Sequence, residues 1–171
     1  MIVAFDASIL VYVLDPQANA PADPLTGKPV DRCQDRVNHL IATLQQLNAK
    51  IIIPTPALAE VLVKASKGGP EFLKILNSSK HFRISSFDER AAVEFAARQA
   101  DGLKSSDRQA ASSRAKAKFD DQIVAISTVE SVTRIYSDDG DITKIAAGRF
   151  EILKIKDIPL PPESPQGELG V

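Results

Sequence analysis

Apolar positions along the chain fall into two alternating patterns. Short continuous runs (IVAF from Ile2, IIIP from Ile51, HFRIS from His81, RIYS from Arg134 and FEILKI from Phe150) read as strands buried on both faces. Between them, apolar residues recur at helical spacing, as in Val37, Leu40, Ile41, Leu44 and Leu47. Helices are predicted over SILVYVL, CQDRVNHLIATLQQLNA, PALAEVLVKA, GPEFLKILNSS, FDERAAVEFAARQA, FDDQIVAISTVES and DITKIAAG. Pro56 suits the first turn of its helix, and Ser86 with Asp88 and Glu89 marks the start of another.

Strands alternating with helices predict an α/β fold, a doubly wound domain with a central, mainly parallel five-stranded sheet flanked by helices. The pattern covers residues 1–155. Residues 15–31 (DPQANAPADPLTGKPVD) read as an insertion loop rich in proline and aspartate. The polar segment DGLKSSDRQAASSRAKAK, residues 101–118, breaks the helical pattern and reads as flexible. Residues 156–171 read as a proline-rich C-terminal tail, in which PLPPESPQGELGV is expected to lack order.

Composition narrows the chemistry. At 171 residues, 44% hydrophobic and 25% charged, the chain has a soluble globular balance and enough length for a real core. A formal net charge of −1 means that any nucleic-acid role rests on a local basic patch or on bound cations. Cys33 is the lone cysteine, which excludes an intrachain disulfide and a cysteine zinc site. His39 and His81 are the only histidines and read as surface or packing residues, so a histidine-rich metal site is excluded. The apolar start has no basic flank and is interrupted by Asp6, and no apolar run is long enough to span a bilayer. A cytoplasmic protein is expected.

Carboxylates recur where strands end. Asp6 follows IVAF, Glu60 lies one turn into the helix after IIIP, Asp139 stands in SDDGD after RIYS, and Asp120 and Asp121 open the helix DDQIVAIS. Each has a plain structural alternative. Asp6 suits a helix cap, Asp120 or Asp121 a helix dipole, and SDDGD a turn in which Gly140 takes positive φ. For Glu60, the apolar neighbours in ALAEVLV predict burial. If the acids converge, like charges about 4 Å apart repel by about 4 kcal/mol at an effective dielectric of 20. Such a cluster then requires protons or cations. Hard oxygen donors without imidazole or thiolate select Mg²⁺ or Mn²⁺, and phosphodiester hydrolysis follows as the matching chemistry.

FDASIL, PALAEVL, FDDQIVAIS and IYSDDGDI, taken in this order, resemble the motifs of the PIN-domain ribonucleases, the family that includes the toxin halves of VapBC-type toxin–antitoxin pairs. The resemblance spans residues 1 to about 155. It implies a Mg²⁺- or Mn²⁺-dependent endoribonuclease acting on single-stranded RNA, with an antitoxin protein as partner and a homodimeric assembly. It places the acids on Asp6, Glu60, Asp120 and Asp139, with Asp141 as a further metal ligand and Ser8 as a hydroxyl supporting the first acid. The doubled aspartates leave one residue of register open, Asp121 beside Asp120 and Asp138 beside Asp139.

Two features depart from the compact family pattern: the 15–31 insertion, and the long basic segment before Asp120 with Lys104, Arg108, Arg114, Lys116 and Lys118. That run reads either as a solvated helix face or as a phosphate track for RNA, with Arg114, Lys116 and Lys118 nearest the acids. Two rival functions remain. A haloacid-dehalogenase-like phosphatase would also use a strand-end aspartate, but it needs a second one at position 8, where this chain has Ser8. A non-catalytic PIN-fold interaction domain would be expected to have lost one of the four acids, and all four are present.

Overall fold

A computed structural model describes residues 1–102, 111–146 and 148–162, with the side chains of 66, 101–102 and 111–117 excepted. The strands are β1 (Ile2–Phe5), β2 (Lys50–Pro54), β3 (Phe82–Ser85), β4 (Arg134–Tyr136) and β5 (Glu151–Leu153). They form one five-stranded, wholly parallel sheet in the order β3-β2-β1-β4-β5. Every strand predicted from the apolar runs is present. The helices are α1 (Ala7–Leu14), α2 (Cys33–Gln46), α3 (Thr55–Ala65), α4 (Gly69–Ser78), α5 (Glu89–Gly102), α6 (Ala111–Val129) and α7 (Gly140–Ile145), with short 3-10 turns at Ser66–Gly68 and Ile155–Asp157.

The strand order explains where a site can form. β1 is central, with Val3, Ala4 and Phe5 fully buried. The chain builds outward through β2 and β3, then returns to the other side of β1 as β4. A parallel sheet whose order reverses in this way opens a crevice at the carboxyl ends of the two strands flanking the reversal. Here those ends carry Asp6 after β1 and Ser137–Asp139 after β4. The Asp6 amide donates to the Tyr136 carbonyl at 3.1 Å, so the two ends are tied together.

The core lies on both faces of the sheet. Phe5, Ile51, Ile52, Ile53 and Ile135 are buried among Ile9, Leu10, Leu44, Leu76, Ile126 and Ile142 from the helices. Packing continues past β5, since Ile155 and Ile158 are buried. Residues 163–171 of the proline-rich tail lie outside the described residues. Among the described residues, no helix is long and apolar enough to cross a membrane.

One prediction is corrected. α6 begins at Ala111, so helix runs through ASSRAKAK, where the polar sequence suggested a break. Ala, Lys and Arg are strong helix formers, and propensity carries the helix where apolar periodicity gives no signal. Asp120 and Asp121 therefore stand within α6, not at its start, and the helix-dipole account of them falls away.

The 15–31 insertion folds back on itself through an Ala22–Pro29 bridge. It is anchored by buried Val30 and by a 3.2 Å ion pair between Asp23 and Lys156.

Candidate functional site

Asp6 occupies the N-cap position of α1, but its side chain makes no capping hydrogen bond. Its Oδ2 instead accepts from the Ser8 hydroxyl at 3.0 Å and the Ser137 hydroxyl at 2.8 Å. Each hydroxyl in turn accepts a backbone amide at 3.0 Å, Asp138 N–H to Ser8 Oγ and Asp139 N–H to Ser137 Oγ. The single proton of each hydroxyl is thereby directed at Asp6. The carboxylate is 5% exposed. Burial pushes its pKa above the usual value, the Ser137 and Ser8 hydroxyls pull it back, and the nearby Glu60 charge adds to the rise.

Ser8 thus sits where a hydroxyl supporting the first acid was expected. Ser137 was not singled out from the sequence, although its place at the end of β4 is the available signal. It is fully buried. Ser137→Ala should lower the melting temperature by roughly 3–10 °C, from the loss of a hydrogen bond to a buried charged group contributing about 1.5–3 kcal/mol. A thermal melt within 1 °C of wild type, taken as roughly the limit of a detectable change, would contradict this.

The doubled aspartates separate cleanly. Asp121 points toward α5, accepting from Gln99 Nε2 at 2.6 Å and lying 3.5 Å from the Arg98 guanidinium. Asp120 is buried, and its carboxylate lies with those of Asp139 and Asp141, one oxygen from each falling within 4.8 Å of the others. At the second pair, Asp138 turns away toward β5. Its Oδ1 accepts from the Ile155 amide at 2.9 Å, and it lines a small cavity with Ala22, Pro24, Val30, Lys154 and Lys156. Burial raises the Asp138 pKa. Asp139 is the N-cap of α7, with Oδ1 accepting from the Asp141 amide at 2.7 Å. Gly140 opens that helix and is not among the glycines with positive φ, so SDDGD is a helix start and not a left-handed turn.

Glu60 is corrected. Its side chain is 56% exposed and pairs with Lys64 at 2.7 Å. The helix α3 buries Ala57, Leu58 and Val61, and Glu60 falls on the other side with Val63, which is 81% exposed. Apolar neighbours in sequence do not bury a helical residue when they lie on a different face. Glu60 and Asp6 lie outside the Asp120–Asp139–Asp141 group, although Glu60 is near enough to Asp6 to act on its charge.

Of the basic run, Lys118 is exposed on α6. Arg114 and Lys116 belong to the same helix, but their side chains lie outside the described residues, as do Lys104 and Arg108 altogether.

Three carboxylates with mutually close oxygens form a donor set suited to a hard divalent cation. Without imidazole or thiolate in the group, the chemistry favours Mg²⁺ or Mn²⁺ over zinc. Asp6 joins this set through Ser137, which bonds both its carboxylate and the Asp139 amide.

The sequence matches no protein-family model and no curated protein. Solved structures do share the fold, which is PIN-like and of the VapC type. VapBC2 from Rickettsia felis, bound to a DNA fragment from its promoter, is similar at a TM-score of 0.60 and 14% identity, covering 90% of this chain and 98% of that one. FitAcB from Neisseria gonorrhoeae gives a TM-score of 0.56 at 18% identity, covering 91% and 98%. VapC20 from Mycobacterium tuberculosis, a sarcin–ricin-loop-cleaving toxin, gives 0.54 at 13%, covering 85% and 95%.

Proposed function

We propose that this protein is a Mg²⁺- or Mn²⁺-dependent endoribonuclease that hydrolyses single-stranded RNA, acting as the toxin of a toxin–antitoxin pair. The observation that carries the reading is the meeting of Asp120, Asp139 and Asp141 at the carboxyl end of the sheet, beside buried Asp6. Asp6, Asp120, Asp139 and Asp141 would hold the cation, with Glu60 of α3 as a further acid. Such a cation, when bound, lowers the pKa of water, neutralises phosphate charge and stabilises the leaving oxygen.

The chain's own residues supply the rest. Ser8 and Ser137 hold the Asp6 carboxylate in place as an acceptor through Oδ2. Arg114, Lys116 and Lys118 lead along α6 toward Asp120 and offer a phosphate track with little base specificity. The fold shared with a sarcin–ricin-loop-cleaving toxin supports RNA as substrate. The fold shared with VapBC2 and FitAcB supports an antitoxin partner, and we extend the reading to a homodimer in the cytoplasm. A phosphatase using Asp6 as nucleophile is disfavoured because Asp6 Oδ2 already accepts two hydroxyls and the carboxylate is buried.

Purified protein should cleave an end-labelled single-stranded RNA with MgCl₂ or MnCl₂ and stop when EDTA is added. Cleavage that continues undiminished in EDTA would overturn the metal-dependent reading.

A further inference from the structure

We infer that Arg98 is a positioning residue for the carboxylate centre, setting its affinity for metal without touching metal or RNA. The inference rests on the nuclease reading above. Arg98 lies on α5, which contributes no acid to the site. Its side chain is 11% exposed and its Nη2 reaches two other helices: it donates to the Ile145 carbonyl of α7 at 3.0 Å and faces Asp121 of α6 at 3.5 Å. Those two helices carry the acids. Asp120 is the neighbour of Asp121, and Asp139 and Asp141 sit at the start of α7, whose end Arg98 holds.

The guanidinium therefore spans the joint between the helix of one acid and the helix of the other two. Its planar, always-charged end suits this task, since the two N–H bonds of Nη2 lie at fixed directions and meet acceptors on different elements. Gln99 fixes the other oxygen of Asp121 at 2.6 Å, so Asp121 is a fixed post and not a mobile surface acid. Burying a guanidinium this far is unfavourable without partners; Nη2 finds them on α6 and α7, while Nε has no hydrogen-bond partner among the described residues.

The test titrates MnCl₂ into full-length wild type, Arg98→Met, Arg98→Lys and Asp120→Asn by calorimetry, at a temperature where melting curves show each folded. Residues that orient metal ligands typically change affinity by 10–100-fold when lost. Arg98→Met should raise the Mn²⁺ Kd by roughly that factor, and Arg98→Lys should recover part of it. In cleavage assays, the Mn²⁺ concentration for half-activation should rise in Arg98→Met while KM for RNA stays at the wild-type value. Should Arg98→Met not fold, Asp121→Asn, which keeps the shape of the post, carries the same expectation. An Mn²⁺ Kd equal to wild type in the folded variant overturns the inference. Wild type that binds no Mn²⁺, or Asp120→Asn that binds it as wild type does, overturns the nuclease reading and the inference with it.

Discussion

Asp120→Asn should lose cleavage on the order of 10²–10³-fold at any Mg²⁺ concentration, whereas Asp121→Asn should return to within about tenfold of wild type once Mg²⁺ is raised. The two residues are adjacent, yet α6 directs them to different neighbours. Asp120 meets Asp139 and Asp141, and its charge is part of the set proposed to hold the cation. Asp121 meets Gln99 and Arg98 on α5. Stability should divide the opposite way. Asp121→Asn leaves a largely buried guanidinium short of its carboxylate, a loss of about 1–3 kcal/mol or roughly 2–10 °C in melting temperature. Asp120→Asn removes one of three like charges and should melt no lower than wild type in EDTA. The same division is expected one strand later, where Asp139→Asn loses cleavage and Asp138→Asn, whose carbonyl can still accept the Ile155 amide beside the insertion, loses far less. Equal activity losses within either pair would mean that both acids take part and that the assignment is wrong.

The sequence made the strands legible because a parallel sheet covered on both faces needs continuous apolar runs, and IVAF, IIIP and RIYS have no other simple reading. It also made the strand-end acids legible, since a carboxylate directly after such a run stands at the edge of the crevice. The residues alone left the choice within each doubled pair open, and only the family resemblance pointed to Asp120 and Asp139. Neighbouring residues on a helix or after a strand point different ways, and only distant partners such as Arg98, Gln99 and the Ile155 amide decide which one turns inward. Glu60 was misread as buried for a related reason: ALAEVLV is apolar in sequence, but α3 presents Ala57, Leu58 and Val61 to the core and Glu60 to solvent. The start of α6 was hidden because an alanine- and lysine-rich turn extends a helix without leaving an apolar stripe. Arg98 carries no motif at all. Its role is visible only once α5, α6 and α7 are brought together.

Asp6→Asn should abolish metal-dependent cleavage yet leave the metal-free protein as stable as wild type or more so. Asn keeps a carbonyl oxygen able to accept from both Ser8 and Ser137, so the local hydrogen bonds survive. What it removes is a buried charge near Glu60 and Asp138. The pH dependence gives the sign. Burial raises the folded pKa of Asp6 above its ordinary value of 3.8, so between that value and the folded pKa the native state binds more protons than the unfolded one, and stability falls as pH rises. Below 3.8 the carboxyl is neutral in both states and wild type should match the mutant. As pH climbs through the folded pKa, wild type in EDTA should fall behind Asp6→Asn, and the gap should then stay constant. Divalent metal reverses the order. Mg²⁺ at a hundredfold over its Kd stabilises by about 2.7 kcal/mol. For a domain of this size that is roughly 5–10 °C in melting temperature. Wild type should show this shift and Asp6→Asn should lose most of it. The measurement is four melting curves, each protein in EDTA and in MgCl₂, repeated over a pH series that starts below the ordinary carboxyl value of 3.8 and rises through neutrality. A mutant that melts several degrees below wild type in EDTA at neutral pH, yet keeps the whole Mg²⁺ shift, would return Asp6 to a purely structural role at the start of α1.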